Sequence, residues 1–285
     1  MIDVLKLDSV LEEIISSWGV PGLGVGIVQN GEIVYTRYYG VQSLDTQAPV
    51  TENSIFCIAS ITKIFVASAV MQLVEQGKID LDAPLAGYLP YFRLDDPRYT
   101  EMTIRQVLSH TSGMPDMEES EYDELVAHPE VDEGAVERYV CGLSHLKLVA
   151  APGERFFYSN IAYNVLGDLI AKVSGQTFED YLTEHILRPA GMPGSALSHL
   201  AVPQERLALP HLRIPQMIVN PIYPYHRADA PASFLHTTVV DMCHWGITCL
   251  NGGVYQGQRI LSPTGFDLMW TPVVDRGSPP FYESH

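Results

Sequence analysis

Apolar residues at Val4, Leu7, Leu11, Ile14, Ile15 and Trp18 recur at helical spacing and stop at Gly19, which predicts an amphipathic N-terminal helix. Two strand-like runs follow, residues 23–29 and 32–39, joined by Asn30-Gly31, a dipeptide suited to the positive φ that both positions of a tight hairpin turn require. The chain is thus expected to begin as a helix packed on a β-hairpin. Gly22, Gly24 and Gly26 line one face of the first strand, where a helix can approach closely. Their spacing is not GxGxxG and a strand follows where a helix is required, which argues against a dinucleotide loop.

Residues 64–74 are apolar nearly all round, so a central buried helix is expected from Ser60 to about residue 77. Thr103 with Gln106 forms a capping box for a short helix ending near His110. Residues 161–174 read as a helix stopped by Gly175, and Thr177 with Asp180 caps another that ends before Pro189. Thr238 with Asp241, and Ser262-Pro263, start two more. Two stretches break the pattern. Residues 116–133 carry nine carboxylates and no Lys or Arg, the signature of a solvated, mobile excursion with no catalytic part. Residues 210–231 are rich in Pro, Tyr and His without periodicity, an irregular segment of the kind that borders a pocket. No repeat or linker divides the chain, and its two clear strands are too few for a stable sheet.

At 285 residues the chain can bury a large core. A formal net charge of -17 argues against nucleic acid or an anionic membrane as partner. Cys57, Cys141, Cys243 and Cys249 stand at irregular spacing with no CxxC, so they read as reduced thiols, and neither a metal nor a cofactor is expected. The N-terminus lacks a basic segment followed by an apolar run, and no 18 consecutive apolar residues occur. The expected location is the cytoplasm, or the periplasm or exterior if a signal peptide is removed.

Ser60 and Lys63 are three apart at the start of the central helix, on one face. A helix N-terminus and burial both disfavour an ammonium, which would let Lys63 take the serine proton. Ser-x-x-Lys alone is weak, since about one chance match is expected in a chain this long. Ser144 and Lys147 match it too, but in a short stretch outside the buried helix. Tyr158-Ser159-Asn160 is the only Tyr-x-Asn. A phenol beside a lysine ammonium can lose its proton more easily, and an Asn side chain can orient both a lysine and a substrate carbonyl.

Taken with residues 71–78, 103–113 and 152–154, these motifs resemble the serine β-lactamase and penicillin-binding protein superfamily, in the branch of class C β-lactamases, D-Ala-D-Ala carboxypeptidases, D-aminopeptidases and family VIII esterases. The resemblance spans about residues 20–253. It implies an α/β (α+β) fold with an antiparallel sheet flanked by helices: residues 1–60 and 235–285 form the sheet domain, and residues 61–234 an inserted, mainly helical one. It further implies a serine hydrolase that forms an acyl-enzyme on Ser60, with Lys63 as base or base partner, Tyr158 as proton relay, Asn160 as substrate and network ligand and His110 structural. Small esters, amides or β-lactams are the implied substrates. The family's third motif, Lys/His-Thr/Ser-Gly, does not occur in the sequence. The chain accordingly reads as ending short of the strands that complete the sheet, or as completed by a second chain or oligomer. A non-catalytic sensor or assembly protein, or an inactive fragment, is the alternative expectation.

Overall fold

The computed structural model describes residues 3–275. Helix α1 (Val4–Trp18) leads into antiparallel strands β1 (Gly22–Gln29) and β2 (Glu32–Gly40), and the short strand β3 (Phe56–Cys57) precedes helix α2 (Thr62–Glu75). Six helices follow: α3 (Leu85–Tyr88), α4 (Ile104–Leu108), α5 (Glu119–Ala127), α6 (Ala135–Gly142), α7 (Asn160–Ser174) and α8 (Phe178–Leu182). The hairpin β4 (His211–Ile214) and β5 (Gln216–Val219), helix α9 (Ala230–Ser233) and strand β6 (His236–Thr237) lead to α10 (Val239–Leu250). Strands β7 (Val254–Tyr255) and β8 (Gln258–Arg259) and helix α11 (Pro263–Met269) complete the described chain. Its strands pair two by two, β1 with β2, β3 with β6, β4 with β5 and β7 with β8, all antiparallel.

Asn30 and Gly31 turn the first hairpin with φ of 54° and 79°. The glycine face of β1 receives α10: a Cβ on Gly24 would lie 2.5 Å from Val239 Cγ2, and one on Gly26 2.4 Å from Cys243 Sγ. Helix α1 meets the hairpin through a polar seam, in which the Asp8 carboxylate accepts from the Tyr35 and Tyr39 hydroxyls and pairs with Arg37 at 3.4 Å. No residue of α1 is fully buried, and its half-buried positions are Leu7, Asp8, Leu11 and Ile15.

Three local expectations are corrected. Ser60 sits on a single 3-10 turn, Ala59–Ile61, and the α-helix starts two residues later. Ala59 adopts φ 45°, a left-handed backbone uncommon for a residue with a Cβ, and this swings the chain out of β3 before the helix can begin. The Pro-rich segment holds the β4–β5 hairpin, whose strands are only four residues each and leave no periodic signal. The acidic excursion contains helix α5, which the carboxylates Glu119 and Glu121 favour at its positive N-terminal end.

The core lies where α2 crosses α7, with Phe65, Leu73, Leu166 and Leu169 fully buried. Two contacts in this layer place the chemistry that follows. The pairing of β3 with β6, extended by Ile58 N–H to Leu235 O at 2.9 Å and Leu235 N–H to Thr62 Oγ1 at 3.0 Å, clamps α9 and β6 beside the start of α2. Gly167 of α7 lets α9 come close, because a Cβ there would meet Pro231 Cγ at 2.2 Å. An alanine in a helix interior ordinarily adds about 0.8–1 kcal/mol over glycine, but overpacking a rigid ring costs about 1–3 kcal/mol. Gly167→Ala is therefore expected to lose about 1 kcal/mol of stability, and at most about 2, in urea unfolding. An unchanged or higher unfolding midpoint would show that the α7–α9 contact yields freely.

Candidate active site

Lys63 is 95% buried in its setting, with only 5% of its surface exposed, yet its amine makes three hydrogen bonds. Nζ lies 3.1 Å from Ser60 Oγ, 2.7 Å from Asn160 Oδ1 and 2.9 Å from the Ala232 carbonyl. The amine also stands over the Tyr158 ring at 4.9 Å and the Tyr163 ring at 5.6 Å. Ser60 itself is exposed, and the Tyr158 hydroxyl donates to its Oγ at 2.8 Å. The four residues singled out from the sequence thus meet at one point, drawn from the 3-10 turn, α2 and the start of α7. Ser144 and Lys147 do not: Lys147 pairs instead with Asp95 at 3.5 Å on the surface.

The N-terminus of α7 is fixed by side chains. Ser159 caps it, accepting from Ala162 N–H at 3.1 Å and donating to Pro115 O at 2.7 Å. Ser159 N–H donates to His110 Nδ1 at 3.2 Å, and the His110 ring packs 4.4 Å from that of Tyr158. His110, at φ 56°, thereby braces the tyrosine.

Two carboxylates escaped the sequence reading. Asp116 accepts from Asn160 N–H at 2.7 Å and from Asn160 Nδ2 at 3.3 Å. It was hidden as the first of nine acids in a run whose other members are solvated. Asp229, 2% exposed, accepts from Asn164 Nδ2 at 3.0 Å. Its one signal was being the only acid between Pro210 and Pro231. Burial lowers the Lys63 amine to about 8, while Asp229 and then Asp116 pull it back up. Burial pushes Asp229 up to about 6, against the Asn164 hydrogen bond and the Lys63 charge. Tyr158 also moves up, chiefly through burial, although its bond to Ser60 works the other way. The nearby carboxylates of Asp116 and Asp229 add to that rise.

A family model described as Beta-lactamase matches residues 7–282. The chain belongs to the beta-lactamase family. Within this family's range of relatives it is 31% identical to Esterase EstB of Burkholderia gladioli over 214 residues, covering 72% of this chain and 54% of the esterase. It is 28% identical to Protein flp of Staphylococcus aureus (strain MW2) over 243 residues, covering 84% of this chain and 47% of that protein. The chain thus spans about half the length of these curated relatives. The octameric penicillin-binding protein homologue from Pyrococcus abyssi superposes with a TM-score of 0.80 at 27% identity, covering 99% of this chain and 62% of that one. The fold is that of the β-lactamase and transpeptidase group, with mixed helices and small antiparallel sheets.

Beside the Ser60 cluster a cavity of about 490 Å³ opens, lined by Asn160, Asp229, Cys57, Tyr122 and Phe234 among others. All four cysteines are free thiols, and no group of three or more His, Cys, Asp or Glu among the described residues is placed to hold a metal ion. No helix among the described residues is long and apolar enough to cross a membrane.

The buried Asp229 carries a pH signature. Its carboxyl is raised from 3.8 to about 6, so between those values the folded chain keeps a proton that the unfolded chain has lost. Its contribution to stability is therefore favourable at low pH and falls as pH rises through that window. Melting temperatures of the native chain and of Asp229→Asn, followed from about pH 4 to 7, are expected to converge at the acid end and to separate above it, with the variant the more stable. Parallel profiles would mean that Asp229 does not titrate there.

Proposed function

We propose that the protein is a serine hydrolase that forms an acyl-enzyme on Ser60 and cleaves a small ester or amide. The observation that carries this reading is the position of Ser60 Oγ, exposed to the cleft and held 3.1 Å from Lys63 Nζ and 2.8 Å from the Tyr158 hydroxyl.

A neutral amine has two N–H hydrogens and one lone pair. Two of the three partners of Lys63, the Ala232 carbonyl and Asn160 Oδ1, can only accept, so they take both hydrogens. The lone pair is left facing Ser60 Oγ. As Oγ attacks the substrate carbonyl carbon, its proton passes to Lys63. Tyr158, a neutral phenol at physiological pH, supplies a proton to the departing alcohol or amine. Water then attacks the acyl ester: its oxygen bonds to the acyl carbon, its proton passes to the Tyr158 phenolate, and as the bond to Ser60 breaks Lys63 returns its proton to Oγ. The acyl or leaving group would occupy the cavity beside Asn160. The similarity to an esterase and to a penicillin-binding protein homologue supports a substrate with an activated carbonyl.

A fluorophosphonate probe is expected to label Ser60, located by mass spectrometry, and to leave Ser60→Ala unlabelled. Because Lys63 must be neutral to accept the proton, the labelling rate is expected to rise with pH and to reach half its plateau near the amine's value of about 8. Equal labelling of the alanine variant, or no label on Ser60 at any pH, would reject the hydrolase reading and leave the non-catalytic one.

A further inference from the structure

Asp116 takes no part in the chemistry just described, yet it is tied to it by more bonds than solvation of an acidic loop requires. One carboxylate oxygen accepts from the backbone N–H groups of Asn160 at 2.7 Å and Met117 at 2.9 Å, and the other accepts from Asn160 Nδ2 at 3.3 Å. The preceding carbonyl, Pro115 O, is held by Ser159 Oγ at 2.7 Å, so the carboxylate is pinned against the first turn of α7.

We propose that Asp116 is a positioning residue that locks the Asn160 side-chain amide with its oxygen, and not its NH2, towards Lys63, and so reserves the lysine lone pair for Ser60. This rests on the reading of Ser60 and Lys63 as nucleophile and base. The two faces of an amide differ little in shape, so hydrogen-bond partners decide which way it points. A carboxylate accepts only, and therefore holds the NH2 on its own side. With the amide turned over, the NH2 would donate into the lone pair of Lys63, and the base would be occupied before Ser60 could use it. The charges facing Lys63 are the carboxylates of Asp116 and Asp229, with the Tyr158 and Tyr163 rings closing over it and Arg105 lining the cavity on its far side. Arg105 is itself paired with Asp82 at 2.7 Å.

Asp116→Asn tests this directly, because its own NH2 would confront that of Asn160 and favour the turned-over amide. With the full chain carrying 13Cε-labelled lysine, the Lys63 signal, assigned through Lys63→Arg, is expected to titrate lower in Asp116→Asn than in the native protein. Fluorophosphonate labelling of Ser60 is expected to slow by about ten- to a hundred-fold at about pH 9, where the amine is largely neutral in both proteins and a loss reports geometry instead of charge. The double variant Asp116→Asn with Asn160→Asp places at 160 a carboxylate, which has no wrong face. Lys63 should then titrate above its native value, and labelling should recover most of the lost rate once pH exceeds that new value. Native labelling rates in Asp116→Asn at about pH 9, or an unchanged Lys63 titration, would overturn the proposal. If Asp116→Asn does not fold, the double variant decides alone: a Lys63 titration no higher than the native one overturns it. If even the native chain does not label, the hydrolase reading falls, while the lysine titrations still decide whether Asp116 governs the amine.

Discussion

The burial of one amine governs the arrangement of this molecule. Lys63 stands on a largely buried helix, and an ammonium or amine without partners there would cost roughly several kcal/mol. Three partners meet that demand, and each comes from a different part of the chain: Ser60 from the turn before α2, Asn160 from the start of α7, and the Ala232 carbonyl from α9. None can drift without leaving part of the buried amine unpaired. The β3–β6 ladder, the Thr62 bridge to Leu235 and the Gly167–Pro231 contact are the means by which those three segments are held at bonding distance.

The same burial sets the electrostatics. Desolvation alone would push the amine far down, and the carboxylates of Asp229 and Asp116 limit that fall, leaving it near 8. Asp229 meets the reciprocal cost and is held near 6. An acid raised and a base lowered towards each other in one buried cluster is the pattern expected where protons are exchanged near neutrality, and structural ion pairs on the surface of this chain, such as Arg105 with Asp82, do not show it. Tyr158, kept protonated by the same low-polarity surroundings, complements the lysine as a donor.

Much of the fold was legible because it is written in local signals. Periodicity and caps mark α1, α2, α7 and α10, the Asn30-Gly31 turn marks the hairpin, and the glycine face of β1 marks the helix that packs on it. The expectation for residues 210–231 was incomplete because strands of four residues carry too little pattern to stand out. The start of α2 was displaced because Ala59 takes a left-handed backbone that only its tertiary neighbours can stabilise.

By itself, the sequence determined the helix that buries Lys63, the Ser60 and Lys63 spacing, and the rarity of Tyr158-Ser159-Asn160 that picked out the second half of the cluster. Only the tertiary structure decided which acids matter. Asp116 and Asp229 act across 53 and 166 positions of chain from Lys63, counted from their numbers, and nothing local distinguishes the first from eight solvated acids around it. Charge and hydrogen-bond direction depend on distance in space, and sequence spacing reports distance only within a turn or two of helix. That is why the serine and lysine could be read together, while the carboxylates that set the lysine's protonation and the amide's orientation could not.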